Sequence, residues 1–179
     1  MISDDLIRKC AKNDASAQRE LYKLLASELF AVCLRYTKIR AEAEDWLQDA
    51  FVKIFLNIKK YNFEGSFEGW ARRVTVNNIL TELRKNKRWG NVFDVDDVID
   101  EVKAEESATG KMEYDDMLSF IQQLPEGKRI IFNMHVIEGF SYKEISELLG
   151  ISEVTCRAQV AKAKNILIEL HKKHNKIKA

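Results

Sequence analysis

Apolar residues recur at intervals of three and four along most of this chain, which limits it to a protein built from amphipathic helices. In the clearest stretch the apolar positions are Ala43, Trp46, Leu47, Ala50, Phe51, Ile54, Phe55 and Ile58. This spacing places them on one face of an α-helix. A single proline and seven glycines in 179 residues leave few breaks between helices. We therefore expect an all-α fold.

The N-terminal half predicts three long helices that form one small domain. The first runs from Asp14 to Lys38, and its buried face consists of Leu21, Leu24, Leu25, Leu29, Val32, Cys33 and Tyr36. The second carries the apolar stretch described above, and its opposite face holds Asp45, Gln48, Asp49, Val52 and Lys53. The third is capped by Ser66 and runs through Trp70 to about Arg88.

The formal net charge of +1 conceals three blocks of different sign. Residues 1–90 contain 17 Lys and Arg against 12 Asp and Glu, residues 91–116 contain 2 against 10, and residues 117–179 contain 10 against 6. Helical periodicity is also lost between residues 90 and 112. We predict two small helical domains, 1–90 and 113–179, joined by a flexible acidic linker at 91–112. The basic surplus of both domains indicates contact with a polyanion, although a solvated spacer between two ordinary domains has the same pattern.

The second domain contains the signals of a helix-turn-helix over residues 141–164. Ser141 and Glu144 have the spacing of a capping box, Gly150 suits a left-handed turn, and Ser152 can cap a final helix. In such a motif the second helix lies in the major groove of DNA. The candidate DNA contacts are Ser152, Thr155, Arg157, Ala158, Gln159 and Lys162. The alternative is a helical hairpin with an ordinary solvated face.

A second basic segment lies between Ser66 and Arg88. It contains six Lys and Arg residues against Glu68 and Glu82, with Phe67 and Trp70 interleaved and Trp89 directly after it. Basic side chains can follow a phosphate backbone, and exposed aromatic rings offer stacking surfaces to unpaired bases. The alternative is that Phe67 and Trp70 belong to the core.

These motifs, in this order, resemble the extracytoplasmic-function sigma factors, the small two-domain class of bacterial RNA polymerase initiation factors. The resemblance covers nearly the whole chain. Its four stretches are residues 43–55 (AEDWLQDAFVKIF), residues 67–74 (FEGWARRV) with Asn77, the Leu124-Pro125-Glu126 turn, and residues 142–155 with YKEI, GISE and Thr155. The junction at Pro125 also starts a helix that we expect to end at Gly139.

The resemblance implies a role for each surface. The first domain would be sigma region 2 and the second would be sigma region 4. Asp45, Gln48, Asp49, Val52 and Lys53 would dock on core RNA polymerase. The promoter's minus-ten element would be captured as a single strand by Trp70, Arg72, Arg73, Asn77, Asn78, Arg84 and Lys85. The helix-turn-helix would read the minus-thirty-five element as duplex, and an anti-sigma factor is an expected partner.

Two residues of the helix-turn-helix depart from the family pattern. Val154 replaces a frequent small residue, and Gln159 stands where arginine is common. Because glutamine can pair bidentately with adenine, we predict an altered upstream element to which Gln159 contributes.

The sequence contains no pattern of catalytic residues, and we predict neither an enzyme, a cofactor nor a metal site. The three cysteines are far apart and are expected to be small core residues. His171 and His174 have a spacing that suits a metal, but their Lys-rich surroundings favour phosphate contact or solvation.

No apolar run approaches the length of about 20 residues that spans a bilayer, so we expect a cytoplasmic protein without membrane insertion. The alternatives are a polymerase-independent helix-turn-helix regulator with residues 1–90 as sensor and, more remotely, a nucleic-acid enzyme.

Overall fold

The computed structural model of the chain describes residues 2–85 and 114–178, and these contain eight α-helices and no β-strand. The helices are α1 (Asp4–Ala11), α2 (Ala15–Tyr36), α3 (Arg40–Asn57), α4 (Phe67–Lys85), α5 (Tyr114–Gln123), α6 (Glu126–Phe132), α7 (Tyr142–Leu149) and α8 (Glu153–Lys178). The chain divides into two compact units, Met1–Lys87 and Arg88–Ala179. The predicted all-α fold with two helical domains is confirmed. The acidic linker predicted at 91–112 lies outside the described residues, so the domain boundaries stay predictions.

Helix α1 is an addition to the three helices predicted for the first unit. Its cap is Ser3, whose Oγ accepts a hydrogen bond from the Leu6 amide at 3.3 Å. Asp4 and Asp5 occupy the first turn, where carboxylates interact favourably with the helix dipole. The residues that α1 buries are Leu6, Ile7 and Cys10.

Helices α2, α3 and α4 enclose the core of the first unit. Helix α2 begins after Asp14, whose Oδ1 accepts hydrogen bonds from the Ser16 and Ala17 amides at 2.8 and 2.9 Å. Helix α4 begins after Ser66, as predicted, with Ser66 Oγ accepting from the Gly69 amide at 3.0 Å. The expectation that Leu24 is buried is wrong, because its side chain is 55% exposed. Leu24 precedes Leu25 by one residue and so points about 100° away from it, outside the arc that Leu21, Leu25 and Leu29 cover on α2.

Helices α5 to α8 form the second unit. Ile121, Leu124, Phe132 and Ala163 make a buried cluster, against which Ile137, Ile166 and Leu167 pack. Helix α6 begins after Pro125, which is the N-cap rather than the first helical residue. The helix continues through one turn of π-helix, Asn133–Ile137, and the expected end at Gly139 is confirmed by a φ of 76° there.

The capping signals predicted between residues 141 and 152 are confirmed. The Ser141 amide donates to Glu144 Oε2 at 2.8 Å, and the Glu144 amide donates to Ser141 Oγ at 3.2 Å. Gly150 has a φ of 71°, in the left-handed region that favours glycine. The Thr155 amide then donates to Ser152 Oγ at 3.0 Å. Helix α7 therefore ends at Gly150, and α8 begins after Ser152, as the capping residues predict.

The three cysteines are buried thiols, as predicted. Burial raises the pKa of the Cys33 thiol to about 12. Cys10 and Cys156 also have pKa values raised by burial. Since the thiolate is the reactive form, all three act as core residues at neutral pH.

Candidate nucleic-acid and protein interfaces

The outer face of α3 is partly acidic and partly apolar. Asp45, Gln48 and Asp49 are exposed, as the sequence predicted, and Val52 is 57% exposed. Lys53 is half-buried. We call the set Asp45, Gln48, Asp49, Val52 and Leu56 the α3 outer face.

Leu56 extends this face beyond the predicted residues. It follows Val52 by four residues, so the two side chains are neighbours along the helix. Leu56 is 75% exposed, which makes it the most exposed of the large apolar side chains in the described ranges. The sequence indicates this exposure, because Leu56 does not share a helix face with the buried residues Ala50, Phe51 and Ile54. Two adjacent exposed aliphatic residues beside carboxylates suit a protein partner better than a nucleic acid.

One side of α4 carries exposed polar residues at helical spacing. Trp70, Arg73, Asn77 and Arg84 are separated by three, four and seven residues and therefore share a face. Arg73, Asn77 and Arg84 are exposed, whereas Trp70 is half-buried. We call these four residues the α4 polar face.

An aromatic cluster adjoins the start of α4. The Trp70 ring lies 5.8 Å from the Tyr61 ring and 5.3 Å from the Phe67 ring, between ring centroids. Phe67 is buried and Trp70 is half-buried, so the alternative that these rings belong to the core is confirmed for Phe67 and in part for Trp70. The Tyr61 hydroxyl donates to the Gly65 carbonyl at 2.9 Å, which closes the loop at residues 61–66.

Helix α1 contacts this loop through a cation–π interaction. The Arg8 guanidinium carbon lies 4.5 Å from the centroid of the Phe63 ring. Phe63 is partly exposed and has a φ of 63°, a conformation that is uncommon for a bulky residue. Neither Arg8 nor Phe63 was predicted as a site residue, because α1, which carries Arg8, was not predicted.

Arg72 and Lys85, which were predicted as minus-ten residues, each form an ion pair within the unit. Arg72 Nε donates to Glu28 Oε1 at 2.6 Å, which ties α4 to α2. Lys85 Nζ lies 2.8 Å from Glu82 Oε1 on the same helix. The Lys85 amine stays exposed, and its pairing with Glu82 raises its pKa.

A cleft of about 670 Å³ lies beside Arg72. Its charged lining is mainly acidic, with Asp4, Glu28 and Glu68 around the single Arg72. This charge disfavours a phosphate backbone inside the cleft. Nucleic acid is therefore expected on the α4 polar face and not on the Arg72 side of the helix.

The expectation that Asn78 contacts DNA is wrong. Its side chain is 1% exposed, and Nδ2 donates a hydrogen bond to the Trp46 carbonyl at 3.2 Å. This contact joins α4 to α3 inside the core. Asn78 is therefore a structural residue.

The start of α8 presents the predicted helix-turn-helix residues. Ser152 is the cap, Thr155 is half-buried, and their hydroxyl oxygens lie 2.8 Å apart. Arg157 is exposed, with its guanidinium 5.3 Å from the Tyr142 ring centroid and 3.5 Å from Glu153 Oε2. The Tyr142 ring stacks on His135 at 3.9 Å. Ala158 and Lys162 are half-buried.

The expectation that Gln159 lies on an accessible flank of α8 is also wrong. Its side chain is only 6% exposed, and its Oε1 has no hydrogen-bond partner among the described residues. It lies three residues after Cys156 and next to Val160, both of which are buried. The amide is therefore turned into the unit, away from the surface that DNA can reach.

The described residues hold no group of three or more His, Cys, Asp or Glu side chains that could bind a metal ion. His174 Nε2 lies 3.4 Å from Asp116 Oδ2, and His171 shares a 3.0 Å hydrogen bond with Asn175. Within the same ranges no helix is long and apolar enough to cross a membrane.

Comparison with known families matches both units. Residues 21–89 match the family model of sigma-70 region 2, and residues 114–167 match that of sigma-70 region 4. The chain is 32% identical over 127 residues to the RNA polymerase sigma factor SigZ of Bacillus subtilis, covering 71% of each chain. It is 26% identical to the ECF sigma factor SigM of the same organism, over 85% of this chain and 93% of that protein.

A third relative is longer than this chain. The ECF sigma factor SigE of Mycolicibacterium smegmatis is 28% identical over 161 residues, which are 87% of this chain and 62% of that protein. The match therefore spans less than two thirds of SigE.

Two solved structures resemble the fold. The sigma factor RpoE of Bartonella quintana, solved with the anti-sigma factor NepR, aligns with a TM-score of 0.51 and 25% identity over 86% of this chain and 96% of that chain. CnrH, solved with the cytosolic domain of CnrY, aligns with a TM-score of 0.51 and 17% identity over 94% and 96% of the two chains. CnrH supports the fold alone. The chain belongs to the extracytoplasmic-function sigma factors of the sigma-70 family, which are transcription initiation factors and not enzymes.

Proposed function

We propose that this sigma factor binds core RNA polymerase through the α3 outer face, captures the minus-ten element through the α4 polar face, and reads the upstream element through α8. The observation that carries this assignment is the arrangement on α4. Arg73 and Asn77 are exposed one helical turn apart, beside the aromatic cluster at Trp70. Basic, amide and aromatic groups together are what a single strand with unstacked bases requires.

Promoter opening costs the energy of unstacking and unpairing several base pairs. A protein recovers this cost when it stacks the exposed bases and neutralises the phosphates between them. The partly exposed rings of Trp70 and Phe63 supply stacking surface, and Arg73 and Arg84 supply positive charge. Asn77 adds a donor and an acceptor for a base edge. The acidic cleft beside Arg72 helps to keep the strand on this side of α4.

Duplex recognition is assigned to the N-terminal half of α8. The basic side chains in this half of the helix are Arg157, Lys162 and Lys164. They suit contacts with phosphates on both sides of a groove. The ion pair of Arg157 with Glu153 is exposed and therefore contributes little, so a phosphate can displace the carboxylate. Gln159 is excluded from this assignment, and Asn78 from that of the minus-ten element, because both side chains are buried.

The α3 outer face is the proposed binding surface for core polymerase. Val52 and Leu56 would form the apolar centre, with Asp45, Gln48 and Asp49 as its polar surroundings. We also propose that an anti-sigma factor regulates this protein by covering such surfaces, because the similar RpoE was solved with the anti-sigma factor NepR. Since transcription takes place in the bacterial cytoplasm, we place the protein there.

The test is transcription of the source organism's genomic DNA by core polymerase with and without the purified protein, with every 5′ end mapped. We expect new start sites that share a minus-ten and an upstream element. An active core polymerase that gains no start sites would contradict the assignment. Duplex binding by the protein alone would then favour the polymerase-independent regulator.

Arg8 provides a prediction about the loop before α4. Replacing Arg8 with Ala removes the cation–π contact that holds Phe63, and we expect promoter opening to fall by about two- to fivefold, since such exposed contacts contribute roughly 0.5–1 kcal/mol. The measurement is the rate of open-complex formation on a promoter found in the mapping experiment. The matched control is Lys9→Ala, which removes an equal charge from α1 at a side chain that pairs with Asp5 at 2.7 Å. An equal loss for both variants would mean that charge, and not placement of the loop, is responsible.

A further inference from the structure

Val154 is an exposed aliphatic residue at the start of the proposed recognition helix. It is the second residue of α8 and is 66% exposed, the highest value for a large apolar side chain in the described part of the second unit. The family resemblance marks this position as one that usually holds a small residue. A single exposed apolar side chain is common on protein surfaces, and Val154 is distinguished by its position at the start of the proposed recognition helix.

The direction of Val154 follows from the buried side of α8. Cys156, Val160 and Ala163 are buried and face the other helices of the unit. With about 100° per residue, Val154 points about 200° away from Cys156, which is the opposite side of the helix. Ala158 lies one turn further along this outer side and is half-buried.

The charges around Val154 favour nucleic acid as the partner of this side. Arg157 and Lys164 lie on one flank of the outer side and Lys162 lies on the other. The start of the outer side, at Val154 and Ala158, is therefore apolar, while its edges are basic. A protein that docks here would have to be acidic at its edges, whereas DNA presents phosphates on both sides of its major groove.

The major groove offers one apolar group to such a surface. Each base pair displays hydrogen-bond donors or acceptors there, and thymine alone adds a methyl group at C5. Neither Val154 nor Ala158 has a side-chain hydrogen-bonding group, and the Gln159 amide is buried. Val154 and Ala158 can therefore read a base only by apolar contact.

We propose that Val154 selects a thymine in the upstream promoter element by contact with its C5-methyl group. This inference rests on the proposed function, in which α8 lies in the major groove. It replaces Gln159 by Val154 as the residue that gives this chain its own upstream preference. Arg157, which leans on the Tyr142 ring, is the adjacent phosphate contact.

The experiment uses holoenzyme assembled from core polymerase and the full chain. A promoter from the mapping experiment is prepared with its upstream element randomised, and bound sequences are compared between the natural protein and Val154→Ala. Each selected thymine is then replaced by uracil, which lacks only the methyl group. The control variant is Val136→Ala, which truncates an exposed valine on the π-helical turn of the same unit. Circular dichroism of all proteins establishes that they are folded.

We expect the natural protein and Val136→Ala to prefer thymine at one upstream position and to lose about fourfold in binding when uracil stands there, as for one buried methyl group. Val154→Ala should lose the preference and show no uracil effect. If uracil is tolerated by the natural protein at every upstream position, or if Val154→Ala keeps the same preference, the proposal is wrong. Because the uracil series uses the natural protein, this outcome does not depend on the variant. A holoenzyme that selects no upstream element at all would overturn the duplex-reading role of α8 as well.

Discussion

Replacing Leu56 by Glu is expected to weaken binding of the chain to core RNA polymerase by about tenfold or more. Leu56 is 75% exposed and lies one turn from Val52 on the α3 outer face, so a partner that packs there must bury both side chains. Side chains that become fully buried near the centre of an interface contribute most of its binding energy, and full burial of one leucine side chain contributes about 1.5–3 kcal/mol. A carboxylate in that position also has to be desolvated without a partner. The measurement is the dissociation constant for core polymerase, obtained by titration of labelled protein.

The control for Leu56→Glu is the same change at Ile39. Ile39 is the N-cap of α3, is 54% exposed, and lies about 25 Å from Leu56 along the helix axis. Both changes replace an exposed aliphatic residue and should leave the free energy of unfolding nearly unchanged. Val52→Glu is expected to act like Leu56→Glu. If Ile39→Glu weakens binding as strongly as Leu56→Glu, the effect reflects added negative charge on the unit. The proposal that the α3 outer face binds core polymerase is then wrong.

Helical periodicity and capping residues predicted most of the fold. The faces of α2 and α3 repeat over many turns, and the predicted caps at Ser66, Ser141 and Ser152 have the hydrogen bonds that their sequence positions imply. Helix α1 was missed because eight residues supply only two turns of pattern. A short amphipathic segment has too few apolar positions to distinguish a helix from a loop, and its burial depends on α2 being present.

The site residues were predicted less well than the helices. Asn78 and Gln159 are polar, and their residue types suggested DNA contacts, yet both lie in phase with buried neighbours. Asn78 follows Ala71 and Thr75 at the spacing of a buried face, and Gln159 follows Cys156 in the same way. The helical phase was visible in the sequence. The hydrogen bond from Asn78 to the Trp46 carbonyl was not, because it depends on how closely α3 and α4 pack.

The ion pair between Arg72 and Glu28 shows a second limit of sequence reasoning. These residues are 44 positions apart, so no local pattern connects them. Arg72 and Arg73 are adjacent and chemically identical, but they lie about 100° apart on α4. The fold assigns one to the contact with α2 and leaves the other on the α4 polar face. This difference allows the two arginines to be compared in one experiment.

Replacing Arg73 by Ala is expected to reduce promoter opening by about tenfold or more, and replacing Arg72 by Ala is expected to reduce it far less. A side chain that contacts a captured strand contributes roughly 1–3 kcal/mol. Arg72→Ala instead removes a partly exposed ion pair, which contributes about 0–1 kcal/mol to stability. Both variants lose one positive charge from the same helix, so nonspecific electrostatic attraction changes equally.

A second template shows at which step of promoter opening Arg73 acts. On a fork template whose minus-ten element is already single-stranded, Arg73→Ala should still bind weakly, because capture of the strand is impaired. Asn77→Ala should behave in the same direction, since Asn77 is exposed one turn further along the α4 polar face. If the fork template restores normal binding to Arg73→Ala, this residue acts before the strand is captured, and its role is in separating the duplex. If Arg72→Ala is as defective as Arg73→Ala on both templates, the position of the arginine on the helix does not matter, and the assignment of the minus-ten element to the α4 polar face is wrong.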